Sequence, residues 1–304
     1  MEAGQAVAAE RLLRPNVVGR SVRAAGRAAR FVLHDPALLF ASLLLGILIF
    51  LAIFGSVIWQ KDPLAINLDQ TLQPPSWAHP MGTDSVGRDV FARFNGGAQI
   101  SLSVGAIVVV AGALLGGLIG VLAGALGGAT DNASMRAMDS LLAFPPLILA
   151  MAVTVGFGIG LKTAVLGIIL TTIPYYARLV RSDVLRVRSM NYVEAAAALG
   201  ASRPRIMARH IVPHLGSTML IQAGAVFGYA ILAVAALGFV GLGAQIPTPE
   251  WGTMITEGLD NVLTGGWWVG VFPGIGVLMA VTGMSIIADR ARDIFDPRGE
   301  YIRV

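Results

Sequence analysis

The sequence predicts an all-α integral membrane protein with about six transmembrane helices and a cytoplasmic loop of two short helices. Apolar residues make up 55% of the chain, against roughly 45–50% in soluble proteins. Charged residues make up 13%, about half the usual share, too few to cover a water-soluble globule of 304 residues. Several apolar runs also reach the roughly 20 residues needed to cross a hydrocarbon core about 30 Å thick. Helices are the natural spanning form, because lipid offers no partner for free backbone N–H and C=O groups.

The spans are expected near 37–59, 100–126, 139–157, 163–178, 215–241 and 269–288, with the fourth short and interrupted by Pro174. Six spans put both termini on one side. The Lys and Arg residues then divide unevenly. The segment before the first span carries Arg11, Arg14, Arg20, Arg23, Arg27 and Arg30. Arg136, seven residues between Arg178 and Arg209, and four after Ala288 lie on that same side. Only Lys61, Arg88, Arg93 and Lys162 lie on the other. The positive-inside rule therefore assigns both termini to the cytoplasm. Ala37 to Trp59 reads as an uncleaved first span, not as the short apolar core of a signal peptide.

In the second span Gly112, Gly116, Gly120, Gly124 and Gly128 recur every four residues. This stripe predicts close approach of another helix backbone; lining a path for substrate is the alternative reading. The span centres hold essentially no acid, base or histidine, which disfavours an ion-coupled carrier or a channel acting alone. Gln222 and Tyr229 are the candidates for a translocation path, with helix–helix hydrogen bonding as the plainer role.

No catalytic constellation is present. Gly156 to Thr163 superficially resembles a phosphate loop, but Leu161 stands where Gly must precede Lys162. The absence of cysteine removes thiol nucleophiles and thiolate metal sites. His210 and His214 share helical spacing with Pro213 between them and no further ligand nearby, so no metal site is expected.

Arg178 to His214 is the longest basic loop. Asn191 followed by Glu194 has the spacing of a helix N-cap with its N3 carboxylate. Ala195 to Ala198 favour helix, and Gly200 supplies a left-handed stop. Ser202 is placed to cap a second short helix with Pro204 in its first turn, and Pro213 to close the unit.

Glu194-Ala195-Ala196 with Gly200 six residues on, and Pro213 thirteen beyond that, resembles the EAA loop of ABC importer permeases. The form Arg209-His210-Ile211-Val212-Pro213 is similar to that of the oligopeptide, dipeptide and nickel permeases. His79 to Asp89, Leu237 to Gly243 with Pro247 to Gly252, and Asp296-Pro297-Arg298 agree with it. The order of these motifs resembles the second, C-type subunit of the pair.

The resemblance implies a non-catalytic permease subunit of a bacterial or archaeal plasma membrane. It implies a homologous second permease, two ABC ATPase subunits carrying ATP and Mg, and an extracytoplasmic binding protein. No cofactor is expected on this chain, lipid is its surroundings, and nucleic acid is no partner. Glu194, Ala195, Ala196, Gly200, Arg205 and Pro213 would form the ATPase-coupling surface. Di- or oligopeptides are the expected cargo, with nickel chelates, glutathione or another small solute as alternatives.

The corresponding division is a basic segment 1–36, a first span with extracytoplasmic loop 37–99, a core 100–288 with coupling loop 179–214, and a tail 289–304. Two departures stand out. Many relatives carry Glu where this chain has Val234, and Ser where it has Gly238. For Gly82 to Arg93, docking of a binding protein and a turn bracing the first two spans remain equally open.

Overall fold

The computed structural model describes residues 35–295. The basic segment with its six arginines and the Asp296-Pro297-Arg298 motif lie outside these residues. The described chain is built from helices: α1 (Pro36–Ile58), α2 (Val90–Leu126), α3 (Gly128–Leu142), α4 (Pro146–Phe157), α5 (Leu161–Arg188), α6 (Asn191–Ala198), α7 (Arg203–Ile206), α8 (Val212–Phe239), α9 (Trp251–Val262) and α10 (Trp268–Phe295). Five stretches are long and apolar enough to span a bilayer: α1, α2, α5, the run from α7 through α8, and α10. The pair α3–α4 makes a sixth if counted as one bent span.

The third expected span, 139–157, is thus not one helix. Its halves meet at 89°. The cause is Pro145-Pro146: neither ring nitrogen can donate, and proline crowds the preceding turn. Pro146 instead opens α4 at a position where no donor is required. Twelve residues rise only about 18 Å, so α4 alone falls short of the hydrocarbon core.

The fourth span departs in the other direction. α5 runs 28 residues, straight through the buried Pro174 and on to Arg188. Residues 179–188, expected in the loop, are helical. Packed neighbours hold the helix together where proline removes one bond. α2 begins ten residues earlier than expected, at Val90, where the Asp89 carboxylate accepts the Ala92 N–H at 2.9 Å. No apolar run of spanning length marks α9 in the sequence.

The glycine stripe is the seam between α2 and α5. A Cβ at Gly112 would stand 2.5 Å from Thr172 Oγ1, and at Gly116 and Gly120 2.5 Å from the carbonyl oxygens of Ile173 and Ala177. One at Gly124 would meet Val184 at 2.7 Å. These glycines bring the two backbones into contact. Gly128 is not part of the seam: it has a φ of +56° and open space around it, and starts α3.

Against this seam packs an apolar cluster that includes Val108, Ile168, Tyr176, Val234 and Leu237. A second cluster, around Leu48, Phe94, Trp251 and Met254, ties α1, α2 and α9 to α10.

Candidate functional site

The helix pair α6–α7 sits at the Arg188 end of the bundle. α6 is short, and its one fully buried side chain is Val193. Val193 packs with Val180, Val184 and Val187 of α5, with Ile206 and Ile211, and with Leu215 of α8. This small core joins the pair to the ends of two spans. Glu194, Ala195, Gly200 and Arg205 are exposed, and Ala196 is half-buried. Leu199 is 89% exposed at the tip of the turn. The exposed face of the pair thus carries Ala195, Leu199, Arg203 and Arg205.

The turn is set by Gly200, with φ +85°. Its N–H bonds the Ala197 carbonyl at 3.0 Å, and the Ala201 N–H reaches back to Ala196 at 3.1 Å. This paired return satisfies the last carbonyls of α6 and needs a left-handed residue at that point.

Three local expectations are corrected. Asn191 is not the N-cap; Met190 holds that position without a side-chain bond, and Asn191 is the first helical residue. Ser202 does precede α7, but its hydroxyl makes no capping bond. Pro213 does not close the unit. α7 passes through a π turn, Met207–Ile211, directly into α8 with Pro213 in its first turn. The Val212 N–H bonds the Met207 carbonyl, one residue further back than in an α-helix. This wider turn lies directly before Pro213, which has no N–H to donate to the preceding turn.

His210 and His214 both lie against Tyr192, ring centroids 6.1 and 6.0 Å away, and the Tyr192 hydroxyl is 3.4 Å from His214 Nε2. They buttress α6. Among the described residues no group of three His, Asp or Glu side chains is placed to hold a metal ion.

Gln222 and Tyr229, singled out from sequence, line one cavity of about 190 Å³ between α8 and α5. Thr172, Tyr175, Ala225 and Val226 complete its wall. Tyr175 went unnoticed in the sequence, since nothing in the Tyr175-Tyr176 pair tells which ring faces the cavity. Tyr175 is 44% exposed, whereas Tyr176 is fully buried. The Tyr229 hydroxyl lies 3.4 Å from Thr171 Oγ1.

At the opposite, Asp89 end, the Gly82–Arg93 segment forms a buried ionic brace. Asp84 Oδ2 accepts from Arg88 Nε at 2.6 Å, and Arg88 Nη2 lies 3.2 Å from Glu257 Oε1. Arg93 Nη2 donates to Glu257 Oε2 at 2.6 Å. Asp89, besides capping α2, takes bonds from Trp59 Nε1 and Lys61 Nζ at 3.1 Å and lies 2.8 Å from His79 Nδ1. The brace therefore binds the segment after α1 to the start of α2 and, through Glu257, to the middle of α9, favouring the structural side of the two readings left open.

The two departures have structural contexts. Val234 is buried in the apolar cluster of α5 and α8, where no charge partner is needed. Gly238 leaves room for Glu250, whose carboxylate caps α9 by accepting from Gly252 and Thr253 at 2.9 and 3.0 Å. A Cβ at Gly238 would lie 3.0 Å from Glu250 Oε2.

With this geometry in hand, comparison with known proteins is decisive. The family model described as binding-protein-dependent transport system inner membrane component matches residues 116–300. The chain belongs to that family. Similar proteins are found in Escherichia coli K12. A probable D,D-dipeptide transport system permease is 41% identical over 264 residues, 87% of this chain and 88% of that protein. A dipeptide transport system permease is 43% identical over 258 residues, 83% and 86% respectively. A putative peptide transport system permease of Brucella abortus is 37% identical, covering 89% of this chain and 90% of its own length. A solved inward-facing structure of the MetNI methionine ABC transporter matches with a TM-score of 0.52 at 20% identity, over 66% of this chain and 95% of that one. At that identity the likeness shows a shared permease fold.

Proposed function

We propose that the chain is one of two pore-forming subunits of an ATP-binding-cassette importer for dipeptides or oligopeptides. The observation that carries this is the α6–α7 pair, an exposed Glu194-to-Gly200 surface fixed by Val193 and Ile206 to the ends of α5 and α8. Force applied to that surface reaches two pore helices directly. ATP and Mg are held by two partner ATPase subunits, whose closure moves the helices as rigid bodies and alternates access to the pore.

Glu194, Ala195, Ala196, Gly200 and Arg205 make the coupling contact, and Pro213 belongs to the joint with α8. Gln222, Tyr229 and Tyr175 line this chain's half of the path. A homologous permease supplies the other half, and an extracytoplasmic binding protein delivers the cargo. Both termini and the coupling pair face the cytoplasm, as the skew of basic residues supports. Peptide cargo is supported by the named activities of the relatives at 37–43% identity.

The test is ATP-dependent uptake of a dipeptide into vesicles holding the complete transporter. Glu194→Arg and Gly200→Val abolish uptake while the complex still assembles. Uptake that survives both changes contradicts the coupling role.

A further inference from the structure

The cavity between α5 and α8 is walled mostly by apolar atoms, and its few polar groups, a carboxamide, a hydroxyl and two phenols, carry no charge. Gln222, Ala225 and Tyr229 are spaced three and four apart, so they form one stripe along α8. Thr172 and Tyr175 of α5 face that stripe. Arg178, one turn beyond Tyr175, does not line the cavity and is paired with Asp139. A lipid-facing surface has no use for a carboxamide and two phenols in mid-span, whereas a path for a hydrated solute does.

Among the described residues neither the Gln222 carboxamide nor the Tyr175 hydroxyl takes a protein partner, and Tyr229 has only its long contact with Thr171. A carboxamide offers an acceptor oxygen and two N–H donors in one plane. That is the complement of a peptide bond, which presents one N–H and one C=O. A formal charge at this point would instead sort substrates by the sign of their side chains.

On the proposed reading of the chain as a peptide permease, we propose that Gln222 is a specificity-determining residue. It hydrogen-bonds the backbone amide of the passing peptide and leaves the path indifferent to side-chain charge. Its neutrality is the reason cationic and anionic peptides can share one conduit.

The experiment measures initial ATP-dependent uptake of Ala-Ala, Ala-Lys and Ala-Glu by the reconstituted transporter, each at saturating loaded binding protein. The wild type carries all three at comparable rates. Gln222→Glu shifts the Ala-Lys to Ala-Glu ratio by about tenfold toward the cation, the scale of one partly screened charge pair. Gln222→Lys shifts it the other way, and Gln222→Leu slows all three alike. Opposite charges introduced at exposed Ala225, on the same stripe, give the same reversal, so the proposal does not depend on one variant assembling. Unchanged ratios in charged variants at both positions overturn it. Absence of wild-type Ala-Ala uptake would instead overturn the peptide-permease reading itself.

Discussion

Arg93 and Glu257 lie 164 positions apart in sequence and meet at 2.6 Å in the interior of the Asp89 end. Arg93 is 1% exposed and Glu257 11%. Arg88 shares the same carboxylate and is itself held by Asp84. Two guanidiniums and two carboxylates thus compensate one another away from water and fasten α9 to the start of α2.

Removing one member leaves an uncompensated buried charge, which costs about 3–5 kcal/mol. Glu257→Leu should therefore lower the thermal unfolding temperature of the detergent-solubilised protein markedly. The double variant Glu257→Leu with Arg93→Met should recover part of that loss. A single variant as stable as the wild type would mean that the brace does not hold α9.

The α2–α5 seam makes a contrasting prediction. At Gly116 and Gly120 an added side chain strikes backbone carbonyls that cannot swing aside. Overpacking of this kind costs about 1–3 kcal/mol, so Gly116→Val and Gly120→Val should destabilise the protein. Gly46 of α1 has open space around its Cβ position, and Gly46→Ala should not destabilise, gaining up to about 1 kcal/mol from the better helix former. Unfolding curves of the three variants, compared directly, give the readout.

Gly200 separates conformation from packing. Nothing lies within 4 Å of its Cβ position, yet its φ is +85°. Gly200→Asn should keep most uptake, because asparagine enters the left-handed region readily, while Gly200→Val should lose it. Equal loss in both would point to the side-chain volume as the harmful element.

The two ion pairs joining α3 to α5 should differ in weight. Arg178 and Asp139 are 52% and 56% exposed, so Arg178→Ala should cost no more than about 1 kcal/mol. Arg181 grips Asp131 with both Nε and Nη2 and is better shielded. Arg181→Ala should be the more damaging, with charge exchange between Arg181 and Asp131 restoring part of the stability.

Much of this architecture was legible in the sequence, because bilayer thickness imposes a minimum apolar length that α1, the body of α8 and α10 visibly meet. The Gly200 turn was legible for a similar reason: few residues accept its backbone angle. The bend at Pro145-Pro146 escaped because apolar composition continues through it, and hydropathy is blind to a missing donor. The full length of α5 is hidden from hydropathy because its last turns carry arginines, which are charged but still helical. α9 mixes Trp251 and Met254 with Glu257 and Asp260, too polar for a span, and its burial depends on partners far away in sequence. At the candidate path, residue type pointed to Gln222 and Tyr229, while Tyr175 needed the actual rotation of α5.

The central claim is that α6 touches an ATP-hydrolysing partner on the cytoplasmic side. The chain has no cysteine, so a single Ala195→Cys gives one unambiguous probe. In the assembled transporter this thiol should cross-link to the ATPase subunit and react with a membrane-impermeant reagent only from the inner side. Labelling from the outer side, or no cross-link to the ATPase in a complex that still transports, would contradict the account.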